Sequence, residues 1–142
     1  MPQAEIHEVL NADKDKLFQV IARYEDYPDF VEGCRKAEVE RSAPGKARVR
    51  YSVSMIKDVS YTVDHEEDSA NGRMTWSLVE SDTFKKNSGY WELKTLSPGK
   101  TDIRYVVDIE FKIPVPGFIL KGLIKTNLPA LIRSFERQAA KL

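Results

Sequence analysis

The sequence predicts an α+β protein in which a curved antiparallel sheet of six to seven strands wraps around a long C-terminal helix, with two short helices after the first strand. Three observations carry this. Apolar residues recur at every second position through much of the stretch from Cys34 to Phe111, the dipeptides Pro44-Gly45, Asn71-Gly72 and Pro98-Gly99 cut that stretch into successive strands, and from Gly117 to Lys141 the apolar period becomes helical. The chain of 142 residues fits one domain, taken as 1–142, and no repeat, low-complexity tract or linker marks a second.

Residues 3–10 alternate, with Ala4, Ile6 and Glu8 on one face and Glu5, His7 and Val9 on the other, and so form a first strand. Asp13 is placed to cap a following helix, because Leu17, Val20, Ile21 and Tyr24 recur at helical spacing. Asp26 opens a second short helix with Pro28 near its first position, where proline's missing N–H costs nothing. In the meander, Val49, Tyr51, Val53 and Met55 share a face with Val59, Tyr61 and Val63, with Met74, Trp76 and Leu78, with Trp91 and Leu93, and with Ile103, Tyr105, Val107, Ile109 and Phe111. Arg48, Arg50, Ser52, Ser54, Ser60, Thr62, Asp64, Asp102, Arg104, Asp108 and Glu110 occupy the other face, the pattern of a sheet covered on one side. The cover is the C-terminal segment, where Leu120, Ile124, Leu128, Leu131, Phe135 and Ala139 fall on one stripe. Pro129 removes a hydrogen bond to the Lys125 carbonyl, so the helix should kink or divide there, with Asn127 capping its second part.

Six or seven strands at about 4.8 Å spacing span about 30 Å, whereas a helix with its side chains is only about 10–12 Å across. The sheet must curl, and the two short helices must plug the end left open. Tyr51, Tyr61, Trp76, Trp91 and Tyr105 either fill the remaining space or line a pocket in it. The three tyrosines bring hydroxyls into an apolar region where an unpartnered polar group costs about 1–3 kcal/mol. They reach water at the sheet margin, or they line a wet pocket and orient the polar head of a mostly apolar ligand; the pocket is the expectation carried forward.

Lys plus Arg and Asp plus Glu number 22 each, so no overall basic field draws the chain to DNA or to an anionic surface. The single cysteine, Cys34, allows no intrachain disulfide, suits a reducing compartment and is assigned to packing. Residues 1–10 lack the apolar core of a secretory signal, and the longest uncharged apolar stretch, 113–120, falls far short of the roughly 20 residues of a membrane span. A cytoplasmic location is expected, at most peripheral to the inner face of a membrane.

The order of strand, two short helices, meander and closing helix resembles the helix-grip fold of the START and birch-pollen-allergen (SRPBCC) superfamily. Tyr27-Pro28-Asp29-Phe30-Val31, with Cys34 just beyond, resembles the Tyr-Pro-x-Phe segment of the polyketide cyclase/dehydrase family, in particular its coenzyme Q-binding branch. Trp76-Ser77-Leu78-Val79-Glu80, Phe84 and Gly89-Tyr90-Trp91-Glu92-Leu93 are similar to that family's paired strands. Ser134-Phe135-Glu136-Arg137-Gln138-Ala139 is similar to the closing-helix signature of the same branch, which includes a ribosome-association toxin, while the 113–118 junction departs from the coenzyme Q pattern. The resemblance implies a container for a quinone, isoprenoid or lipid, with Tyr27, Pro28 and Phe30 at the mouth and Trp76 and Trp91 on the sheet side. The expected cavity set is Tyr27, Phe30, Tyr51, Val53, Met55, Tyr61, Trp76, Trp91, Tyr105, Phe118, Leu120 and Ile124.

His7 and His65 lie in separate strands and Cys34 stands alone, so no metal site and no cofactor are expected. Asp64-His65-Glu66-Glu67-Asp68 runs into the Asn71-Gly72 turn and reads as a solvated strand end. The expected function is non-catalytic binding or transport of a hydrophobic small molecule. A cyclase or dehydratase is the alternative, for which one acid or base in a shaped pocket suffices, with Tyr51, Tyr61, Tyr105 and Glu8 as weak candidates. Lys121, Lys125, Arg133, Arg137 and Lys141 recur at multiples of four on the long helix, against Glu136 alone. They form a solvated face or a contact to an anionic membrane or the ribosome, the latter giving a third reading as a ribosome-associated interaction protein.

Overall fold

In chain order the elements are β1 (Gln3–Leu10), α1 (Lys14–Ala22), a 3-10 turn (Tyr24–Asp26), α2 (Tyr27–Phe30), β2 (Cys34–Ala43), β3 (Lys46–Ser54), β4 (Asp58–Asp68), β5 (Arg73–Ser81), β6 (Phe84–Ser97), β7 (Lys100–Phe111), α3 (Gly117–Gly122), a π-turn (Leu123–Asn127) and α4 (Leu128–Ala139). The computed structural model describes residues 3–54 and 58–142, and of Leu120, Leu123 and Ile124 the backbone alone. Met55, named above as an inward residue, lies outside the described residues.

The strands form one antiparallel sheet in the order β1-β7-β6-β5-β4-β3-β2, so the chain returns its last strand beside its first. Alternation sets the faces. Val49, Val63, Met74, Trp91, Leu93 and Ile103 are buried on the inner side, and cross-strand ion pairs such as Arg48–Asp64, Arg73–Glu92 and Lys86–Asp108 line the outer side. Thr62 is an exception to the wet-face assignment. It is buried because Arg50 and Glu80, its register partners on β3 and β5, approach to 3.7 Å across it.

The sheet does not curl uniformly. β6 pairs with β7 from Phe84↔Phe111 to Ser97↔Lys100, yet its ladder to β5 runs only from Arg73↔Glu92 to Trp76↔Gly89. Past that point the Ser81 hydroxyl secures the strand ends instead, accepting from the N–H groups of Thr83 and Phe84 and donating to the Ser60 carbonyl. At the β4–β5 turn Gly72 takes φ 63°, a conformation that L side chains rarely adopt, and the Asp68 carboxylate accepts from Asn71.

α1 buries Leu17, Phe18, Val20 and Ile21, four of its nine residues, at the end of the sheet. Asp13 precedes it as expected but caps through its carbonyl, which accepts from Leu17 N–H at 2.9 Å, and its side chain makes no capping bond. Tyr24 continues the stripe from the 3-10 turn. In the C-terminal segment the helix divides just before Pro129, as proline requires, but not with Asn127 as a side-chain cap. Asn127 keeps helical φ and ψ, and the π-turn takes up the lost hydrogen bond within a continuous path. α4 then buries Ile132, Ser134, Phe135 and Ala139 against the sheet. No helix among the described residues is long and apolar enough to cross a membrane.

Candidate ligand-binding cavity

Between the inner face of the sheet and α4 lies a cavity of about 190 Å³. Tyr51, Val53, Tyr61, Val63, His65, Met74, Trp76, Asn87, Trp91, Tyr105, Val107 and Ile109 supply its sheet wall, Leu128, Leu131 and Phe135 its helical wall, and Tyr27, Val31 and Cys34 its floor from α2 and the start of β2. Packing among these aromatics holds the walls apart. Phe135 meets Trp91 edge-on at 5.1 Å between ring centroids, Tyr27 at 5.3 Å and Phe30 at 5.2 Å, and Tyr105 meets Trp91 at 4.9 Å.

Of the expected set, Tyr27, Tyr51, Val53, Tyr61, Trp76, Trp91 and Tyr105 border this space. Phe30 does not; it packs behind Tyr27 and faces an outer groove with Asn127, Ala130 and Leu131. Phe118 is a correction: it is 76 % exposed, because α3 begins only at Gly117 and its first turn stands off the sheet. The side chains of Leu120 and Ile124 lie outside the described residues. Glu8 is remote from the cavity and pairs with Arg133 at 3.1 Å, which ties β1 to α4.

Among the polar residues in and around the site, sequence reasoning omitted Asn87 and misjudged His65 and Glu67. His65, read as part of a wet strand end, is 5 % exposed and lines the cavity. Its Nε2 lies 2.9 Å from the Tyr51 hydroxyl, its Nδ1 3.2 Å from the Met74 sulfur, and its ring stacks on Tyr24 at 4.1 Å. A thioether only accepts, so Nδ1 carries the proton and Nε2 accepts the proton of Tyr51. The signal was parity, since His65 continues the inward series Val59, Tyr61, Val63. Asn87, two residues before Gly89 on the inner face of β6, accepts the Trp76 indole N–H at 3.1 Å. Glu67 belongs to a support rather than to solvent: it accepts from the Tyr24 hydroxyl at 2.5 Å and from Arg41, whose other nitrogen donates to the Ala22 carbonyl.

Burial sets the protonation of the site. Burial pushes the His65 imidazolium down to about pKa 3, so the ring is neutral. Burial also raises the phenols of Tyr27, Tyr51, Tyr61 and Tyr105, and burial together with the Glu67 carboxylate raises that of Tyr24. The folded state thus resists a proton on His65 that the unfolded chain accepts below about pH 6.5, and stability falls as pH drops from that value towards 3. The His65 contribution is up to about 1.4 kcal/mol per pH unit. Urea titrations between pH 7 and pH 4 should show a shallower acid loss for His65→Gln than for the parent; parallel profiles would refute the assignment.

A seven-stranded curved sheet closed by a C-terminal helix, with short helices after the first strand, is the helix-grip fold. The same architecture occurs in a START superfamily protein from Mycobacterium smegmatis (TM-score 0.85, 20% identity, 98% of this chain and 97% of that one). It also occurs in the Zhui aromatase/cyclase from Streptomyces sp. R1128 (TM-score 0.86, 18% identity, 98% and 93%). A sequence profile described as "Polyketide cyclase / dehydrase and lipid transport" matches residues 10–136, and the chain belongs to that family. Among curated relatives, the ribosome association toxin RatA of Escherichia coli K12 is 25% identical over the whole of this chain and 89% of its own length. The persistence and stress-resistance toxin PasT of Escherichia coli O6:H1 is 26% identical over the same shares.

Proposed function

We propose that this protein binds and carries a hydrophobic small molecule, a quinone, isoprenoid or lipid, in the cavity and performs no reaction on it. The observation that carries this is the space of about 190 Å³ walled by Trp76, Trp91, Tyr61, Tyr105 and Phe135. A dry cavity of about 150 Å³ is known to take up benzene, so this one accommodates a single ring or a comparable piece of chain. Support for binding without chemistry comes from the titration of the lining groups. Tyr51, Tyr61 and Tyr105 are poor acids because burial raises them, and His65, with a pKa of about 3, is a poor base at neutral pH. Native mass spectrometry of the purified protein, followed by organic extraction, should find an apolar compound. Val107→Phe, which fills the space at a cost of about 1–3 kcal/mol, should abolish it. The reading fails if no compound is found and no short-chain quinone, prenyl alcohol or lipid shifts the thermal midpoint.

A second reading, association with the ribosome, is supported by the names of the curated relatives and by the exposed Lys121, Lys125, Arg137 and Lys141. Arg133 is engaged with Glu8 and Glu136 and is not counted among them. In this reading, and equally for a contact with anionic lipid, the protein acts in the cytoplasm and binding weakens steeply with salt. Sedimentation with ribosomes and with anionic vesicles at low and moderate salt separates the two; retention by neither removes both.

A further inference from the structure

Three donors on residues that line the cavity have no acceptor among the described residues. The hydroxyls of Tyr61 and Tyr105 have no hydrogen-bond partner among the described residues, whereas Tyr27 donates to the Ile21 carbonyl at 2.6 Å and Tyr51 to His65. An indole N–H can only donate, so Asn87 turns its carbonyl oxygen to Trp76 and its amide nitrogen is left over. None of the three is sealed in protein, since the only fully buried side-chain nitrogen or oxygen atoms without a hydrogen bond among the described residues are one oxygen of Asp108 and the Glu8 oxygen that Arg133 approaches as an ion pair at 3.1 Å.

The charge of the site is equally one-sided. No Asp, Glu, Lys or Arg is among the described residues that line the cavity, and the one imidazole is neutral. A carboxylate or phosphate entering here would leave water without meeting a cation, a transfer that costs far more than the apolar contacts return. A neutral carbonyl or ether oxygen meets the opposite situation, because it accepts from donors that have no partner among the described residues.

Resting on the reading of the cavity as a binding site, we propose that it selects uncharged ligands whose ring-sized apolar head carries a hydrogen-bond-accepting oxygen, held by Tyr61, Tyr105 and the Asn87 amide, and that it rejects anionic lipids and acids. The 190 Å³ volume limits the head to one substituted ring. The Tyr51 hydroxyl, whose proton is committed to His65, offers the ligand only an acceptor.

The chain contains two tryptophans and both line the cavity, so their indole N–H resonances report occupancy directly. The probes are 4-methylcyclohexanone, 1,4-dimethylcyclohexane and 4-methylcyclohexanecarboxylate at neutral pH, titrated into the parent and into Tyr61→Phe, Tyr105→Phe and the double variant. Phenylalanine retains ring packing, and thermal midpoints confirm that each variant is folded. The ketone and the hydrocarbon should shift both indoles and the carboxylate neither. The Kd for the ketone should rise about fivefold for each hydroxyl removed, while that for the hydrocarbon stays within twofold. The proposal is overturned if the ratio of ketone to hydrocarbon affinity is the same in all four proteins, or if the carboxylate binds as tightly as the ketone. If neither neutral probe moves either indole, the cavity reading itself fails and this proposal with it.

Discussion

Phe135→Ala is expected to lower stability by about 3–5 kcal/mol, and with it the thermal midpoint by about 10–20 °C. Phe135 is 2 % exposed and stands at the centre of the inner surface of α4. Its ring meets Tyr27, Phe30 and Trp91 edge-on, so it joins three otherwise separate parts: α2, the sheet and the closing helix. Removing it enlarges an existing cavity rather than opening a small new void, which leaves the surrounding rings little to collapse onto. Chemical denaturation followed by tryptophan emission and by far-UV circular dichroism measures the change. A loss under about 1 kcal/mol would show that the helix is held to the sheet by other contacts. Phe135→Leu, which keeps most of the volume, should recover more than half of the loss.

Gly89→Ala is the second large effect, expected at about 3 kcal/mol or more from a single added methyl group. Gly89 lies on β6 opposite Val107 on β7 and Trp76 on β5, at the last pair before the β5–β6 ladder ends. A Cβ built there would collide with the Val106 carbonyl oxygen and would stand 2.7 Å from the Trp76 ring. The carbonyl is backbone and cannot yield, so the strand or the indole must move. Because the Trp76 indole lies over this glycine and donates to Asn87, the first sign should be a red-shifted tryptophan emission, together with a lowered midpoint. An unchanged spectrum and midpoint would mean that the strands separate at no cost. Gly99→Ala provides the comparison in the β6–β7 turn, where the added Cβ meets nothing within 4 Å and only the φ of 76° is strained; its cost should stay near 1 kcal/mol.

How much of the site was legible in the sequence can be judged residue by residue. Tyr51, Tyr61 and Tyr105 were placed on the inner face by parity, and the structure adds which of their hydroxyls are committed. Tyr51 meets His65 across the β3–β4 pair, at a sequence separation of 14, whereas Tyr61 and Tyr105 stay unpaired among the described residues. His65 has the right parity but sits among four acids, and a local window weighs that charge without knowing that Arg41, Lys46, Arg48 and Asn71 each engage one of them. Phe118 was counted in the cavity set although it lies ahead of the stripe that begins at Leu120. Periodicity gives the face within a helix but not whether that turn rests on the sheet, and the π-turn breaks the period between α3 and α4.

The sequence by itself determined the alternating faces, the turns at glycines 45, 72 and 99, the apolar stripe of α4 and the break before Pro129, because each depends on the backbone preferences and spacing of neighbouring residues. Only the tertiary structure decided that the sheet and helix stand far enough apart to leave about 190 Å³ between them, and which donors of the lining residues have no partner among the described residues. Both depend on where rings such as Phe135 and Trp91, 44 positions apart in the chain, come to rest against each other, and no local period encodes that distance.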